Sequence, residues 1–332
     1  MSLPTTLADP SQTGEFALIA RHFQRPNSPL PASVALGVGD DCALLSPTPG
    51  HQIAISSDML VSGRHFLPDV APAALGHKAL AVNLSDLAAM GARPLGFTLA
   101  LALPQVDDTW LSELAQGLFS LADAQRCPLV GGDTTRGPLN LCITVFGEVP
   151  PGSALRRSAA RVGDDIYVSG DLGGACLALS WLQSPTGAPQ EALARLRERL
   201  ERPTPRVALG QALLGVARAA IDISDGLAGD LGHLLRASGV GGELVLEALP
   251  QPDAVAALPA AQRLRCVLQG GDDYELVFTA PPGARLGVEA AARRSDTPVW
   301  RVGQIVAGSG LHLINAQGGR QRFTGAGFDH FT

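Results

Sequence analysis

The chain has 332 residues, of which 46% are apolar and 17% are charged, and its formal net charge is −6. This composition predicts a globular protein of roughly two domains and excludes a largely disordered chain. The negative charge argues against a nucleic-acid-binding surface, and the sequence contains no apolar run of roughly 18 residues that would predict a membrane span.

The N-terminal segment and the cysteines favour a cytoplasmic protein. Residues 1–16 lack a basic segment followed by an apolar core, so they do not predict a signal peptide. The five cysteines are scattered and form no CxxC pair, which predicts reduced, mostly buried thiols.

The first half of the chain predicts alternating helices and strands. Apolar residues at helical spacing predict helices in 14–23, 73–91 and 107–126. Alternating or continuous apolar runs predict strands in 51–59, 95–103 and 139–149. We predict that the first of these strands ends in polar residues. The stretch CPLVGGDTT (127–135) predicts a short buried strand that runs into a glycine turn.

The second half repeats this mixture after a segment rich in Pro, Gly and small residues (151–165), where we place the domain boundary. Helices are predicted in 175–183, 206–219, 227–238 and 286–294. Strands are predicted in 165–170, 219–224, 242–249, 275–280 and 298–306. The expected fold class is therefore α/β or α+β, with one domain in 1–150 and another in 151–332.

Carboxylates recur beside glycine or hydroxyl residues, and we expect them to lie in turns. The motifs are GVGDDCALL, SSDM, NLSDLAAMGA, VGGDTTRG, IDISDGLAGD and QGGDDYEL. A single such motif is also consistent with a helix cap or an ordinary turn. For RVGDDIYVSG, with Asp164 and Asp165, we predict a solvated turn outside the site.

Together, these motifs favour a site for hard cations and phosphates. Carboxylate and hydroxyl oxygens are ligands for Mg²⁺ or Ca²⁺, whereas the His and Cys spacing predicts no zinc site. Lys78 is the only lysine and no Gly-Lys pair exists, which excludes a P-loop. Positive charge for a phosphate would then come from arginines such as Arg157, backbone amides and metal ions, and phosphoryl transfer is the chemistry expected.

The motifs, taken in order with ISSDMLVSGRHF and the C-terminal GFDHF, resemble the thiamine-monophosphate kinase family from about residue 14 to 332. That family belongs to the superfamily of aminoimidazole ribonucleotide synthetase and selenophosphate synthetase. The resemblance implies two α/β domains, a homodimer built on the N-terminal domain, and a nucleotide bound in a cleft between the domains. It also implies transfer of a phosphoryl group from ATP to thiamine phosphate, with several Mg²⁺ ions.

The resemblance further implies roles for particular residues. The implied metal ligands are Asp41, Ser56, Ser57, Asp58, Asp86, Asp133, Asp222 and Asp225. The implied ATP contacts are Gly132, Asp133, Arg157 and Ser224. The implied contacts to thiamine phosphate are His65, Asp272 and Phe328. The family often has Glu where Asp272 stands, so the carboxylate here is about one methylene shorter.

We expect no protein nucleophile or general base, because the acceptor phosphate is already mostly dianionic at neutral pH. Two alternatives stay open from the sequence. One is another ATP-using enzyme of the same superfamily, although no cysteine precedes Cys42 and the chain ends in GFDHFT. The other is a nucleotide- or metal-binding protein without turnover.

Overall fold

The computed structural model describes residues 14–25, 28–184 and 187–325, so Phe328 and the GFDHF motif lie outside the described residues. The described residues divide into two compact units. The first comprises the chain up to Asn83 together with Pro94–Glu148, and the second comprises Leu84–Arg93 and the chain from Val149 onward. Among the described residues, every helix is too short or too polar to cross a bilayer.

The first unit is built around a four-stranded sheet. Its strands and helices, in chain order, are α1 (Glu15–His22), β1 (Val34–Leu36), β2 (Leu44–Leu45), β3 (Gln52–Val61), α2 (Pro72–Met90), β4 (Arg93–Leu103), α3 (Asp108–Ala124), β5 (Leu129–Arg136) and β6 (Asn140–Val149). The strand order is β3-β6-β4-β5, and β1 pairs with β2 in a separate small sheet. The β4 and β5 strands run parallel.

Glycines bring α2 and α3 into unusually close contact. A Cβ atom on Gly76 would lie 2.1 Å from the Leu114 carbonyl oxygen, and one on Gly117 would lie 1.8 Å from that of Ala73. Only glycine therefore permits this backbone approach. Alternate residues of β4 and β6 are buried, among them Leu101. They form the core with the buried stripes of the two helices.

The second unit contains a seven-stranded sheet in the order β13-β12-β9-β11-β7-β10-β8. Its strands are β7 (Asp165–Ser169), β8 (Ala219–Ile223), β9 (Gly241–Val245), β10 (Glu275–Ala280), β11 (Val299–Val306), β12 (Gly310–Ile314) and β13 (Arg320–Arg322). Its helices are α4 (Gly174–Gln183), α5 (Gln190–Glu201), α6 (Val207–Ala212), α7 (Leu227–Ser238), α8 (Asp253–Ala256), α9 (Ala260–Gln269) and α10 (Arg285–Arg294). The β9–β12 pair is parallel, and the other described pairs of this sheet are antiparallel. The mixed α and β class predicted from the sequence is confirmed.

The strands predicted around Asp58 and Asp222 and the helix predicted around Asp86 are confirmed, so the expectation that these acids lie in turns is wrong. Asp58 lies inside β3, Asp133 inside β5 and Asp222 inside β8, whereas Asp86 lies inside α2. The β3 strand does not end at the polar residues, because it continues to Val61. The glycines of VGGDTT do not end β5 either. Glycine favours turns but also occurs in strands where another backbone approaches closely, so its presence alone did not decide between the two.

Asp164 and Asp165 are not the solvated turn predicted from RVGDDIYVSG, because each is only 1% exposed. Arg285 donates two hydrogen bonds to Asp165, at 2.8 and 3.0 Å, and Arg218 forms an ion pair with Asp164. The sequence did not reveal these arginines because they lie far from the acids along the chain. Their guanidinium groups make burial of the carboxylates tolerable.

Other differences concern helices with little apolar surface. The sequence interpretation omitted α5, whose buried Leu196 and Leu200 are surrounded by charged residues. It also extended α6 too far, since that helix ends at Ala212. Helical spacing of apolar residues identifies long helices with a broad buried stripe better than short or strongly charged ones.

Candidate active site

In the second unit, two loops that carry predicted site residues are joined by backbone hydrogen bonds. The Asp272 N–H donates to the Ser224 carbonyl at 2.9 Å, and the Tyr274 N–H donates to the Ile223 carbonyl at 2.8 Å. The loop 270–274 therefore continues alongside the turn 224–226 that follows β8. This arrangement brings together Ser224, Asp225 and Asp272, which were predicted to contact ATP, metal and thiamine phosphate, respectively.

Glycines permit this close approach. A Cβ atom on Gly271 would lie 2.5 Å from the Ser224 carbonyl oxygen, and one on Gly226 would lie 2.8 Å from the Gln269 carbonyl carbon. Gly226 also has a positive φ of 106°. Asp272 itself has a φ of 68°, a left-handed conformation that Asp tolerates better than most residues. The two loops are therefore fixed relative to each other by backbone geometry.

Asp230, in the first turn of α7, holds the preceding turn in place. Its carboxylate accepts hydrogen bonds from the Ser224 N–H at 3.1 Å and from the Asp225 N–H at 3.0 Å. Burial raises the pKa of Asp230 to about 7, although these backbone hydrogen bonds oppose the rise. Asp230 stands in the IDISDGLAGD motif, but no role was predicted for it. A carboxylate in the first turn of the helix, five residues after Asp225, was the available signal.

Arg157 is exposed and lies in a short 3-10 turn (Arg157–Ala159) that is docked on α7. The Ser238 hydroxyl donates to the Arg157 carbonyl at 2.7 Å and accepts from the Ala160 N–H at 3.1 Å. The guanidinium is near enough to Asp230 to act on its carboxyl group electrostatically. The guanidinium of this predicted phosphate-binding residue is therefore within electrostatic reach of the carboxylate that holds the turn carrying Ser224 and Asp225.

Asp273 is buried at the start of α4. One of its oxygens accepts a hydrogen bond from the Gly173 N–H at 2.8 Å. The other oxygen has no hydrogen-bond partner among the described residues. Burial raises the pKa of Asp273 to about 8. The neighbouring Asp272 is only half-buried, so the two adjacent carboxylates differ in environment.

Asp222 and the segment around Asp86 also lie together in the second unit. The Ser85 hydroxyl, fully buried in α2, donates to the Asp222 carboxylate at 2.8 Å. Asp86 follows Ser85 directly and is half-buried. Ser85 had no assigned role in the sequence interpretation, although it stands inside the NLSDLAAMGA motif.

In the first unit, the pleat of β3 separates the predicted ligands. Ser56 and Asp58 are half-buried on one face of the strand, whereas Ser57 is exposed on the other. The Ser57 hydroxyl donates to the Ile143 carbonyl at 3.1 Å and lies 3.0 Å from the Thr144 hydroxyl. The structure therefore does not bring the Ser57 hydroxyl to the face that carries Ser56 and Asp58.

Asp58 is tied to α2 through its backbone. Its N–H donates to the Asn83 side-chain oxygen at 2.9 Å, and the Asn83 amide donates to the Ala79 carbonyl at 2.9 Å. Asn83 is 1% exposed, so this buried amide fixes the middle of β3 against the helix. The sequence interpretation did not identify Asn83 as important.

Asp133 is exposed on β5, opposite Ala100 of β4. The preceding residue, Gly132, was predicted to let a phosphate approach. The structure gives a second reason for glycine at this position, because a Cβ atom there would lie 1.9 Å from the Leu99 carbonyl oxygen. The φ of 148° at Gly132 is likewise unfavourable for any other residue.

Asp41 and His65 occupy loops of the first unit. Asp41 is exposed, and its N–H donates to the Asp40 carboxylate at 2.8 Å. The His65 Nδ1 accepts from the Val61 N–H at 2.9 Å, which places the proton of a neutral imidazole on Nε2. The buried Lys78 ammonium donates to the His65 carbonyl at 3.4 Å. The loop is thus held by the only lysine of the chain.

The donor set fits Mg²⁺ in kind. In the described part of the chain, no three His, Cys, Asp or Glu side chains gather into a ready-made metal site. Mg²⁺ does not need one, because it commonly binds one or two carboxylates together with water and substrate phosphates. The half-buried Asp225, three residues after Asp222, offers such an oxygen ligand, and Arg157 supplies positive charge that acts on the nearby Asp230.

Comparison with known proteins defines the class. The domain description "AIR synthase related protein, N-terminal domain" matches residues 39–149, and the corresponding C-terminal domain matches residues 161–314. The chain therefore belongs to the AIR synthase related family, and its two mixed α and β units are the fold expected of that family.

Within that family, the chain is similar to thiamine-monophosphate kinases. The thiamine-monophosphate kinase of Salmonella typhimurium is 48% identical over 321 residues, which are 96% of this chain and 98% of that protein. The crystal structure of thiamine-monophosphate kinase from Stenotrophomonas maltophilia has 45% identity and a TM-score of 0.81, covering 89% of this chain and 94% of that one. AaThiL complexed with AMPPCP and TMP has 27% identity and a TM-score of 0.76, with coverages of 86% and 89%. This chain is a member of the thiamine-monophosphate kinase family, as the motifs indicated.

Proposed function

We propose that the protein transfers the γ-phosphoryl group of ATP to thiamine monophosphate and produces thiamine diphosphate. The observation that carries this proposal is the 48% identity to a curated thiamine-monophosphate kinase over 96% of the chain. A more distant relative binds AMPPCP, an ATP analogue, together with TMP. Because both reactants are small phosphorylated metabolites and the described cysteines are all free thiols, the expected location is the cytoplasm.

The acceptor phosphate is the nucleophile. One of its oxygens attacks the γ-phosphorus of ATP, a new P–O bond forms, and the bond from the γ-phosphorus to the bridging oxygen breaks to release ADP. No proton has to move, because the acceptor is already mostly dianionic above its second pKa of about 6. No protein nucleophile or general base is therefore required.

Charge neutralisation is the main task of the protein. Two unit charges about 4 Å apart repel by roughly 4 kcal/mol at an effective dielectric constant near 20, and both reactants carry several. We propose that Asp41, Asp58, Asp86, Asp133, Asp222 and Asp225, with Ser56 and Ser57, hold several Mg²⁺ ions. When bound, these ions neutralise the phosphate oxygens. The Ser57 hydroxyl is hydrogen-bonded to β6. If Ser57 binds the same metal ion as Asp58, it therefore does so through its backbone carbonyl.

The remaining assignments follow from position and chemistry. Arg157 and the Ser224 hydroxyl bind the triphosphate, and Gly132 and Asp133 complete the ATP contacts. Asp272 and the His65 imidazole bind thiamine phosphate together with Phe328. What supports the first group is the electrostatic effect of the Arg157 guanidinium on Asp230, whose carboxylate holds the turn 224–226. The role proposed for Asp272 is supported by its backbone hydrogen bond to Ser224, which places it next to a proposed ATP contact.

We also propose the domain division at 150/151 and a homodimer built on the N-terminal domain. The support for a dimer, besides the family, is an apolar stripe on β3. Ile53, Ile55, Met59 and Val61 alternate along this edge strand and are all exposed, Ile55 by 62% and Met59 by 53%. An exposed apolar edge of this kind favours association, and a second copy of the chain is the partner we assign to it.

Product analysis tests the central proposal. The purified protein is mixed with Mg²⁺, ATP and thiamine monophosphate, and thiamine diphosphate is measured by chromatography. Formation of thiamine diphosphate and ADP in equal amounts is expected. ATP turnover that yields a different product would favour another enzyme of the superfamily. Binding of ATP without turnover would favour the non-catalytic alternative.

Direct transfer has its own test. Incubation with γ-labelled ATP alone should leave no label on the protein, and initial rates should show sequential kinetics. A labelled protein that passes its phosphate to thiamine monophosphate would contradict direct transfer and would turn one of the acids into a nucleophile.

The dimer is tested by light scattering. The wild-type protein should have the mass of two chains at micromolar concentration, whereas Ile55→Asp should shift it toward one. Val106→Asp serves as the matched control, because Val106 is 65% exposed but lies outside the β3 stripe. A wild-type monomer, or an equal effect of both changes, would contradict the proposed interface.

A further inference from the structure

Two cysteines of the second unit lie close together, and the proposed reaction uses neither of them. Cys176 lies in α4 and Cys266 in α9, and both are free thiols. Each side chain is near enough to the other to shift its pKa. Cys266 is buried, whereas Cys176 is half-buried. This pair could not be predicted from the sequence, because the two residues are far apart along the chain.

Glycines hold the two helices at this short distance. A Cβ atom on Gly173, at the start of α4, would lie 2.9 Å from the Cys266 carbonyl carbon. A Cβ atom on Gly270, at the end of α9, would lie 2.5 Å from the Cys176 Cβ and 3.0 Å from its Sγ. Each glycine therefore packs against the cysteine of the other helix. The backbones of the two helices therefore bring Cys176 and Cys266 close together.

The two thiols differ in their tendency to ionise. The pKa of Cys266 is lowered, chiefly by the neighbouring Cys176 thiol, although burial opposes this. Arg265 lowers it further. The neighbouring Cys266 side chain, followed by burial, raises the pKa of Cys176. By contrast, burial alone raises the pKa of Cys127 to about 12, which keeps that thiol unreactive.

We propose that Cys176 and Cys266 form a reversible intramolecular disulfide when the protein meets a hydroperoxide. The Cys266 thiolate attacks one peroxide oxygen, the O–O bond breaks, and the departing oxygen takes up a proton. This step leaves a sulfenic acid on Cys266. The Cys176 thiol then attacks the sulfenic sulfur, the S–S bond forms, and the sulfenic hydroxyl leaves as water. Overall, two thiols are oxidised and one peroxide is reduced to an alcohol, or to water, and water.

The disulfide would join two helices next to the loop 270–274. Formation of the bond requires the two sulfurs to approach to about 2.05 Å, so α4 and α9 must shift slightly. Gly173, which donates to Asp273, and Gly270, which begins the loop, move with them. Oxidation is therefore expected to displace Asp272 and slow turnover. This consequence rests on the proposed function, but formation of the bond does not.

Mass spectrometry under denaturing conditions tests the bond directly. The protein is treated with hydrogen peroxide, quenched with iodoacetamide and digested with trypsin. Cleavage at the flanking arginines places Cys176 in the peptide 162–195 and Cys266 in the peptide 266–285. We expect these peptides to be linked with the loss of two hydrogen atoms and to be separated again by dithiothreitol. A mass that shows only stable addition of oxygen, or full alkylation of both thiols, would overturn the proposal.

Variants sharpen the test. Cys176→Ser and Cys266→Ser should each abolish the link, whereas Cys127→Ala should leave it intact. In the wild-type protein, turnover should fall on oxidation and recover on reduction, and neither serine variant should show this reversible fall. A link between other cysteines would contradict the assignment. A complete 176–266 link with unchanged turnover would contradict its effect on the loop.

Discussion

Two regions of the second unit bury carboxylates in opposite ways. At the start of β7, Asp165 is 1% exposed and is hydrogen-bonded to the guanidinium groups of Arg285 and Arg301. Around the 224–226 turn and the 270–274 loop, Asp230 and Asp273 are also buried, but the hydrogen bonds that they accept come from backbone N–H groups. The first region neutralises its charge within the protein, whereas the second does so incompletely.

The pKa values express this difference. Burial acts to raise the pKa of Asp165, but hydrogen bonds from the two arginines outweigh it and lower the pKa overall. Burial prevails at Asp230 and Asp273, whose pKa values rise to about 7 and about 8. Acids that pair with arginines of the same protein stabilise the fold. A group of acids without such partners favours the binding of cations from solution. The number of acids in a motif is therefore less informative than their partners.

The largest expected effect is a loss of turnover, which distinguishes acids that bind metal from acids that pair with arginines. Asp225→Asn should lower turnover by orders of magnitude with little change in stability, because it removes a proposed Mg²⁺ ligand. Asp133→Asn should behave similarly. Turnover is measured against Mg²⁺ concentration, and unfolding by urea serves as the check on the fold. Rates near wild type at limiting Mg²⁺ would remove these residues from the metal site.

The reverse behaviour is expected of Asp165→Asn. This change leaves two arginines without their carboxylate and should lower the free energy of unfolding by about 2–3 kcal/mol, near the lower end for a broken buried pair because both arginines are partly exposed. Turnover per folded molecule should stay close to wild type. Urea unfolding and turnover at saturating substrates measure the two effects. Loss of turnover without loss of stability would reverse our assignment of this region.

Asp273 and Asp165 should also contribute to the pH dependence of stability with opposite signs. The folded pKa of Asp273, about 8, lies above its usual value of 3.8, so the folded protein holds a proton that the unfolded chain releases between these values. Its contribution therefore weakens as pH rises from about 4 to 8, by at most about 1.4 kcal/mol per pH unit. Asp273→Asn should flatten this decline. The lowered pKa of Asp165 acts oppositely, and its contribution is lost only as the solution becomes strongly acidic.

Unfolding free energies at pH 5, 6, 7 and 8 measure this dependence, with Asp165→Asn as the control. Over this range the control should keep the wild-type slope. Equal slopes in Asp273→Asn and the wild type would mean that the Asp273 carboxyl is not protonated in the folded protein.

The fold class and the family could be predicted from the sequence, because long helices, strands and local motifs depend on residues that are consecutive in the chain. The sequence could not predict that Asp165 is paired with Arg285 and Arg301, since those partners come from distant elements. For the same reason it predicted a solvated turn where the structure has a buried ion pair. Alternation along β3 was visible in the sequence, yet only the structure shows that Ser57 bonds to β6.

Residues that act through others were hardest to find. Asn83 and Ser85 stand inside the NLSDLAAMGA motif. Their roles depend on the strands to which they are hydrogen-bonded, β3 for Asn83 and β8 for Ser85. Phe328 remains a prediction, because it lies outside the described residues. The candidate site is thus predictable by motif, whereas the groups that hold it in place require the tertiary structure.

The smallest expected effect concerns Asp230 as a positioning residue. Its carboxylate accepts from the N–H groups of Ser224 and Asp225, and an asparagine in its place keeps one oxygen that can accept both hydrogen bonds. Asp230→Asn should therefore change the KM for ATP by less than about threefold, whereas Asp230→Ala, which leaves the two N–H groups without an acceptor, should raise it about 10-fold. A structural role alone would lower stability in both variants and leave KM unchanged in the folded fraction. Steady-state kinetics at saturating thiamine monophosphate separate these outcomes. A large effect of asparagine equal to that of alanine would show that the charge of Asp230, and not its hydrogen bonds, is what the 224–226 turn requires.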